Sequence, residues 1–442
     1  MQIIEKHKGK REFVAILKSV QMHRIFILMA LVLPLLTSAQ QTITLDECFD
    51  LVTENYPLAK QSILLNEQNR LDIEAINKGK LPQLDVNAQA TYQSDVTSLP
   101  IQLPNATIDP PNKDQYRATF DVNQLIYNGG LIDANSKVKE ATSKVNRQQV
   151  EVNLYGLKNQ INQLYLSVLL LQENRDLLTA KEKQLNARLE EVKAGVKFGA
   201  LLASSEQSLA AELLKIKQQF TELDFNRSAL IKRLSLLIGK ELSADANLER
   251  PEVFMSETES NRPEIQLFDL QKEQVDYFSK LILKSNFPKL NAFAQGGYGN
   301  PGLNMLDNSF TTFYMAGLRL NWNVFDWNKT KTEKQSLEIN KEIIDSQKET
   351  FELNNNLELV NLQSEIDKVE ALISTDNKII SIREDILKTA ESQLKNGVIT
   401  ASAYITEFTN LYEAKSQLNV NETQLLLNKI QYQITKGTYN KN

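Results

Sequence analysis

Residues 82–92 read PQLDVNAQATY, and residues 288–298 read PKLNAFAQGGY. In both stretches every second residue is apolar or small: Leu84, Val86, Ala88, Ala90 and Tyr92, then Leu290, Ala292, Ala294, Gly296 and Tyr298. Phe293 is the one misfit on the polar side. Successive side chains of a strand point to opposite faces, so the pattern predicts two β-strands, each with an apolar and a polar face. Tyr116, Ala118, Phe120 and Val122 continue it between Arg117, Thr119, Asp121 and Asn123. So do Tyr314, Ala316, Leu318, Leu320, Trp322 and Val324, between Arg319, Asn321 and Asn323. The segments have the length of tilted membrane strands, about 9–11 residues. Tyr92, Tyr127, Tyr298, Trp322, Phe325 and Trp327 gather near strand ends, as aromatic girdles do. The predicted lipid face comprises Val86, Ala88, Tyr92, Phe120, Val122, Ala292, Tyr298, Leu318, Leu320 and Trp322. A soluble half-buried sheet shows the same alternation, so strand length and aromatic ends carry the membrane reading.

Working outward, the two stretches belong to an internal duplication. Eleven of the 36 positions from 57 to 92 are identical to those 206 residues later, among them Pro57/Pro263, Gln68/Gln274, Pro82/Pro288 and Tyr92/Tyr298. The offset falls to 198 at Asn123/Asn321 and reads 202 at Gly195-Val196 and Gly397-Val398. Each copy is expected to hold a helix (Leu58–Lys80; Glu264–Asn286), two strands joined by a Pro/Asn/Asp-rich loop, a very long helix, a Gly turn and a returning helix. The organisation expected is an N-terminal helix over 40–56, repeat 1 over 57–238, a connection over 239–261, repeat 2 over 262–436 and a tail over 437–442. Thr44 and Glu47 form a capping-box pattern at the opening helix.

The long helices carry heptad seams. Leu178, Leu185, Leu189 and Val192 answer Leu209, Leu213, Ile216 and Phe220. In the second copy Ile366, Ile373, Ile380, Leu387 and Leu394 precede Leu411, Leu418 and Leu425. Such spacing predicts antiparallel coiled-coil pairs, and a helix of about 60 residues extends roughly 90 Å. Gly195 and Gly397 are the expected turn residues, each at a helix C-cap requiring positive φ. The candidate tips are Gly195, Val196 and Lys197, and Gly397, Val398, Ile399 and Thr400.

The chemical inventory narrows the function. Residues 1–39 read as a signal peptide: Arg24, an apolar run from Ile25 to Leu36, and small residues at Thr37 and Ala39. Met22 reads as the true start. Both histidines, His7 and His23, fall in that segment. The remainder has one cysteine, Cys48, with 44 Lys+Arg and 53 Asp+Glu, a formal charge of −9. A Ser-His-Asp or Cys-His centre, a histidine or four-cysteine zinc site and an internal disulfide are therefore excluded. No cofactor, catalytic residue or metal site is expected. Acidic balance without basic clusters speaks against nucleic acid.

Taken together these residues resemble the TolC-like outer-membrane efflux protein family over essentially the whole mature chain. The motifs are Ile43-Thr44-Leu45-Asp46-Glu47 with Glu54-Asn55-Tyr56-Pro57, the junction Leu125-Ile126-Tyr127-Asn128-Gly129-Gly130, the looser Val324-Phe325-Asp326, and the two Gly-Val tips. Asn128 and Asp326 suit helix capping. The resemblance implies a homotrimer whose twelve strands, four per chain, form an outer-membrane β-barrel continuous with a helical coiled-coil tube in the periplasm. It also implies a passive efflux or type I secretion channel of a Gram-negative cell, meeting a periplasmic adaptor and an inner-membrane transporter. The chain departs from well-known members at the tips, where residues 195–201 and 397–406 contain no acid; Glu407 is the nearest. A different class, a periplasmic coiled-coil scaffold or adaptor with a soluble sheet, is the alternative.

Overall fold

The computed structural model describes residues 42–97, 110–253 and 261–439. The expected signal peptide and Met22 lie outside them, as do parts of the expected connection and tail. In chain order the elements are β1 (Thr42–Ile43), α1 (Leu45–Asn55), α2 (Ala59–Lys78), β2 (Gln83–Tyr92), β3 (Asp114–Tyr127), α3 (Leu131–Lys197) and α4 (Ala203–Ile238). There follow β4 (Asn247–Leu248), α5 (Pro263–Ser285), β5 (Lys289–Asn300), β6 (Thr311–Asn321), α6 (Lys329–Lys395) and α7 (Ala401–Lys436). The fold is mainly helical, with two repeats of helix, strand pair and helical hairpin. No described helix is long and apolar enough to cross a membrane.

The chain divides into two compact units. One, formed by residues 49–162, 253–372 and 424–442, contains a four-stranded antiparallel sheet of order β2-β3-β5-β6. Its register aligns the predicted faces across all four strands. Leu84 lies opposite Val122, Val122 opposite Ala294, and Ala294 opposite Ala316. The next apolar rung is Val86, Phe120, Gly296 and Tyr314. A bulge between Leu125 and Tyr127 ends the alternation where β3 turns toward α3. The last strand stops at Asn321 rather than continuing to Val324. In the helices of this unit Val150, Leu154, Ile161, Leu362, Ile366, Ile430 and Ile434 are buried. Arg262 ties the α5 start to the end of α7, donating to the Ile434 and Thr435 carbonyls at 3.2 Å each and pairing with Glu264 at 2.7 Å.

The other unit holds residues 163–252 and 373–423 with the segment ending at Cys48. Its core is the predicted seam: Leu178, Leu185, Leu189, Val192, Leu209 and Ile216 cluster with Leu387, Leu394, Phe408 and Leu411. Sequence reasoning did not anticipate the short parallel pair of β1 and β4. Ile43 and Leu248, at its centre, are each 1% exposed, and the buried Tyr165 hydroxyl donates to the carbonyls of Ile43 (2.9 Å) and Glu249 (2.6 Å). Two residues are too short to display alternation, so no pattern could mark these strands. The capping box is half present. Thr44 Oγ1 accepts from the Glu47 N–H at 3.1 Å, while the Glu47 carboxylate turns instead to Lys240 at 2.6 Å.

The turn assignment at the first hairpin is corrected. Gly195 lies inside α3, and the positive φ belongs to Gly199, at 76°. Gly199 N–H donates to Val196 O (3.0 Å) and Ala200 N–H to Gly195 O (2.8 Å). At the second hairpin Gly397, φ 70°, donates to Leu394 O (3.0 Å) and Val398 to Gln393 O (2.8 Å). Both are Schellman motifs. Gly199 and Gly397 stand 198 apart, as do the ends of α3 and α6 and of α4 and α7. The 198 offset therefore runs unbroken from Asn123/Asn321 to the helix ends, and the shared Gly-Val dipeptide is a chance match four residues out of phase. Gly195 has a different reason to be glycine: a Cβ there would lie 2.8 Å from Leu201 Cδ1.

Candidate functional site

Among the described residues no group of three or more His, Cys, Asp or Glu is placed to hold a metal ion. Cys48 is fully buried, and burial, reinforced by Glu47 and opposed by Lys240, pushes its thiol up to about 12. It stays protonated and unreactive at neutral pH. The informative surfaces are the two faces of the sheet and the two hairpin ends.

On the apolar face the large side chains point outward without cover: Val86 is 77% exposed, Tyr92 79%, Tyr314 84% and Leu318 71%. Leu84, Phe120, Tyr298, Leu320 and Trp322 are also exposed, whereas Val122 and Ala292 are half-buried. All ten predicted lipid-face residues thus belong to this face or, for Trp322, lie one residue beyond it. The other face is polar and internally bonded. Asp121 accepts from Asn87 (2.9 Å), Thr119 (2.8 Å) and Gln295 (2.5 Å), linking three strands.

The polar face also holds two aromatic rings, and only Phe293 was recognised as a misfit in the sequence. Phe293 lies over Gly317, where a Cβ would approach its ring to 3.0 Å, and Phe313 lies over Gly297, where it would approach to 2.4 Å. Each ring fills the space a neighbouring side chain would occupy. Each also carries a guanidinium: Arg319 sits 5.0 Å from the Phe293 centroid and Arg117 5.4 Å from that of Phe313. The missed signal was the pairing of glycines with aromatics across adjacent strands.

At the sheet's helix end, Asp326 caps its helix as expected, whereas Asn128 forms a turn just ahead of the helix rather than a cap on it. Asn128 Oδ1 accepts from the Gly130 N–H at 3.1 Å, and Asp326 Oδ2 accepts from the Thr330 N–H at 3.0 Å. Hydrogen bonds from Thr330, side chain first and then backbone, with help from Asn286, hold the Asp326 carboxyl down at about 2.

Each hairpin end exposes apolar side chains. Val398 is 70% exposed, while Val196 and Ile399 turn inward against the core and Thr400 caps α7 through the Ala403 N–H at 3.2 Å. Lys197 ends α3. Phe198 and Leu202, absent from the expected tip set, are 82% and 70% exposed; aromatic and aliphatic residues beside a turn glycine were the available signal. Inside the tips Arg188 joins the two repeats. It contacts Glu391 at 2.9 Å and Glu191 at 2.5 Å and lies 5.4 Å from the Tyr404 centroid. Gln184 extends the chain, donating to Glu391 at 3.3 Å and accepting from the Tyr412 hydroxyl at 2.9 Å. The acid-free tips therefore sit beside a polar network built from helix residues further in.

A model of the family described as outer membrane efflux protein matches residues 52–240 and 254–434, one match per repeat. Among solved structures, the chain is similar to the outer membrane protein VceC of Vibrio cholerae (15% identity, TM-score 0.60, covering 89% of this chain and 97% of that one). It is also similar to the Campylobacter jejuni CmeC outer membrane channel (14%, TM-score 0.60, 89% and 85%). The open state of the Neisseria gonorrhoeae MtrE outer membrane channel gives 15%, TM-score 0.61, and 89% of each chain. These likenesses concern the fold. No curated protein sequence matches the chain significantly.

Proposed function

Because the chain belongs to the outer membrane efflux protein family, we propose that it is the outer-membrane channel of a tripartite efflux or type I secretion system, conducting cargo passively from a periplasmic adaptor and inner-membrane transporter to the exterior. The observation that carries this reading is the sheet, apolar and exposed on one face, polar on the other, with β2 and β6 as open edges among the described residues. An edge in lipid leaves backbone groups unsatisfied, at several kcal/mol each, and closed membrane barrels need at least about eight strands. A homotrimer supplies the missing strands, giving twelve. The apolar face then meets outer-membrane lipid and the polar face lines the conduit.

In this reading the hairpin ends, Gly195 to Lys197 and Gly397 to Thr400, dock the adaptor in the periplasm, with the newly found Phe198, Leu202 and Val398 as apolar contacts. The chain does no enzymatic chemistry. The test is direct: the purified protein should run as a heat-labile trimer from the outer-membrane fraction and form ion-conducting pores in planar bilayers. A soluble periplasmic monomer would instead fit a coiled-coil scaffold and would sink the channel reading.

A further inference from the structure

The polar face of the sheet carries five charged side chains: Asp85, Arg117, Asp121, Lys289 and Arg319. They are not mixed. Asp85 and Asp121 are direct cross-strand partners in the middle rungs. Arg117 lies near the hairpin-loop end, where its Nη2 donates to Gly302 O at 3.4 Å. Arg319 is opposite Asn291, and Lys289 is opposite Asn321, at the end from which the helices leave. Their cross-strand partners are both amides, and among the described residues neither cation forms an ion pair. Asp326, which bonds Asn286 just ahead of β5, is already taken by Thr330 and that amide.

Distance keeps the bands separate. Asp121 is level with Gln295, and Arg319 with Asn291; four residues of strand span about 13 Å. That exceeds the screening length of roughly 8 Å at physiological ionic strength. The Arg319 guanidinium is also held in place. Its carbon lies 5.0 Å from the centroid of the Phe293 ring, which occupies the space over Gly317, so the cation has an aromatic seat at the surface. A solvated surface arginine has no such seat. Rings of basic side chains in a pore favour anions, and a guanidinium suits carboxylate and phosphate groups in particular.

We infer that Arg319 on Phe293, with Lys289 beside it, forms a cationic collar at the helix end of the barrel that favours passage of anions and of cargo bearing carboxylate or phosphate groups. The inference rests on the channel reading above, because it needs the polar face to line the conduit. The experiment is the reversal potential of single channels in a potassium chloride gradient, for the full-length protein and for R319Q, K289Q and D85N. R319Q should lower the chloride-to-potassium permeability ratio at least about twofold, K289Q should lower it less, and D85N should raise it. Inorganic pyrophosphate on the helix side should block the unaltered channel more strongly than R319Q. Arg319 is exposed, so R319Q is expected to assemble; if it does not, K289Q and the pyrophosphate block read the same collar. Conducting channels whose ratio and block are unmoved by R319Q and K289Q would overturn the collar and leave the channel standing. A protein that conducts nothing would overturn the channel reading and the collar with it.

Discussion

Asn128 and Asp326 start the two long helices of the repeats with different chemistry in the same place. Asn128 is followed by two glycines at φ 68° and 79°; Asp326 is followed by Trp327 and Asn328 at φ 55° and 63°. Left-handed backbone costs an L-residue about 1–2 kcal/mol, so the second junction carries a burden the first avoids. Gly129 is required there on a second ground, since a Cβ would fall 2.2 Å from Phe287 Cβ. Asp326 offsets part of the burden by bonding Thr330 as a carboxylate next to a helix N-terminus. Its folded pKa, about 2, lies below the ordinary carboxylate value of about 4. The sign is therefore that of a depressed acid: the contribution is present above about pH 4 and fades as pH falls through about 2. Asp326→Asn keeps a capping oxygen and loses the charge. It should lower the thermal midpoint at neutral pH, and the gap from the unaltered protein should close as pH falls from about 4 to 2. A pH-independent gap in melts followed by circular dichroism would refute the charge argument. The cap at Asp326 was legible from residue type alone, and the Asn128 turn shares that residue-type signal. The left-handed Trp327 was not, because a bulky side chain gives no sign of positive φ, whereas Asn328 is of a type that tolerates it.

Elements were legible in proportion to their length. The seams of α3, α4, α6 and α7 repeat often enough that heptad spacing fixed both their existence and their buried face, as Leu185, Ile216 and Leu387 show. The strands were legible because one face is uniformly apolar, although β6 ends three residues early, where Trp322 and Val324 continue the alternation without pairing. The turns were harder. Two Gly-Val pairs at a plausible spacing drew the first turn to Gly195, whereas cap geometry places it at Gly199. A helix can contain a glycine for close packing as readily as end at one, and sequence alone does not separate the two. Substitution does. Gly397→Val puts a β-branched residue at φ 70°, which should destabilise the hairpin end by at least about 1–2 kcal/mol and reduce efflux. Gly195→Ala must displace Leu201, whose Cδ1 would lie at 2.8 Å and Cγ at 3.1 Å, but it stays in helical backbone and should cost less than Gly397→Val in both. Minimum inhibitory concentrations of an exported drug, with protein levels checked, measure the contrast; equal loss in both variants would return the turn to Gly195.

At the scale of the whole molecule the duplication determines what one chain lacks. Each repeat supplies two strands and one helical hairpin, and the two strand pairs meet between β3 and β5 to make a single sheet with two open edges. The apolar–polar alternation of the sequence matches the faces set by the strand register, and under the proposed channel reading the open edges call for further copies. The two short strands β1 and β4, the aromatic–glycine seats and the Arg188 network could not, since each depends on residues far apart in sequence meeting in space. The assignment of faces is the step on which the membrane reading depends, and adjacent residues of β2 test it. Ala88, in mid-strand, faces the apolar side opposite Ala118, while Asn87 faces the polar side opposite Thr119. Arginine on a lipid-facing position near the bilayer midplane costs about 2–4 kcal/mol, whereas a conduit-facing position tolerates it. Ala88→Arg should therefore deplete the heat-labile trimer in the outer membrane, and Asn87→Arg should assemble near normal levels while changing single-channel conductance. If Asn87→Arg abolished assembly and Ala88→Arg did not, the strand would be turned over, with its apolar face toward protein rather than lipid.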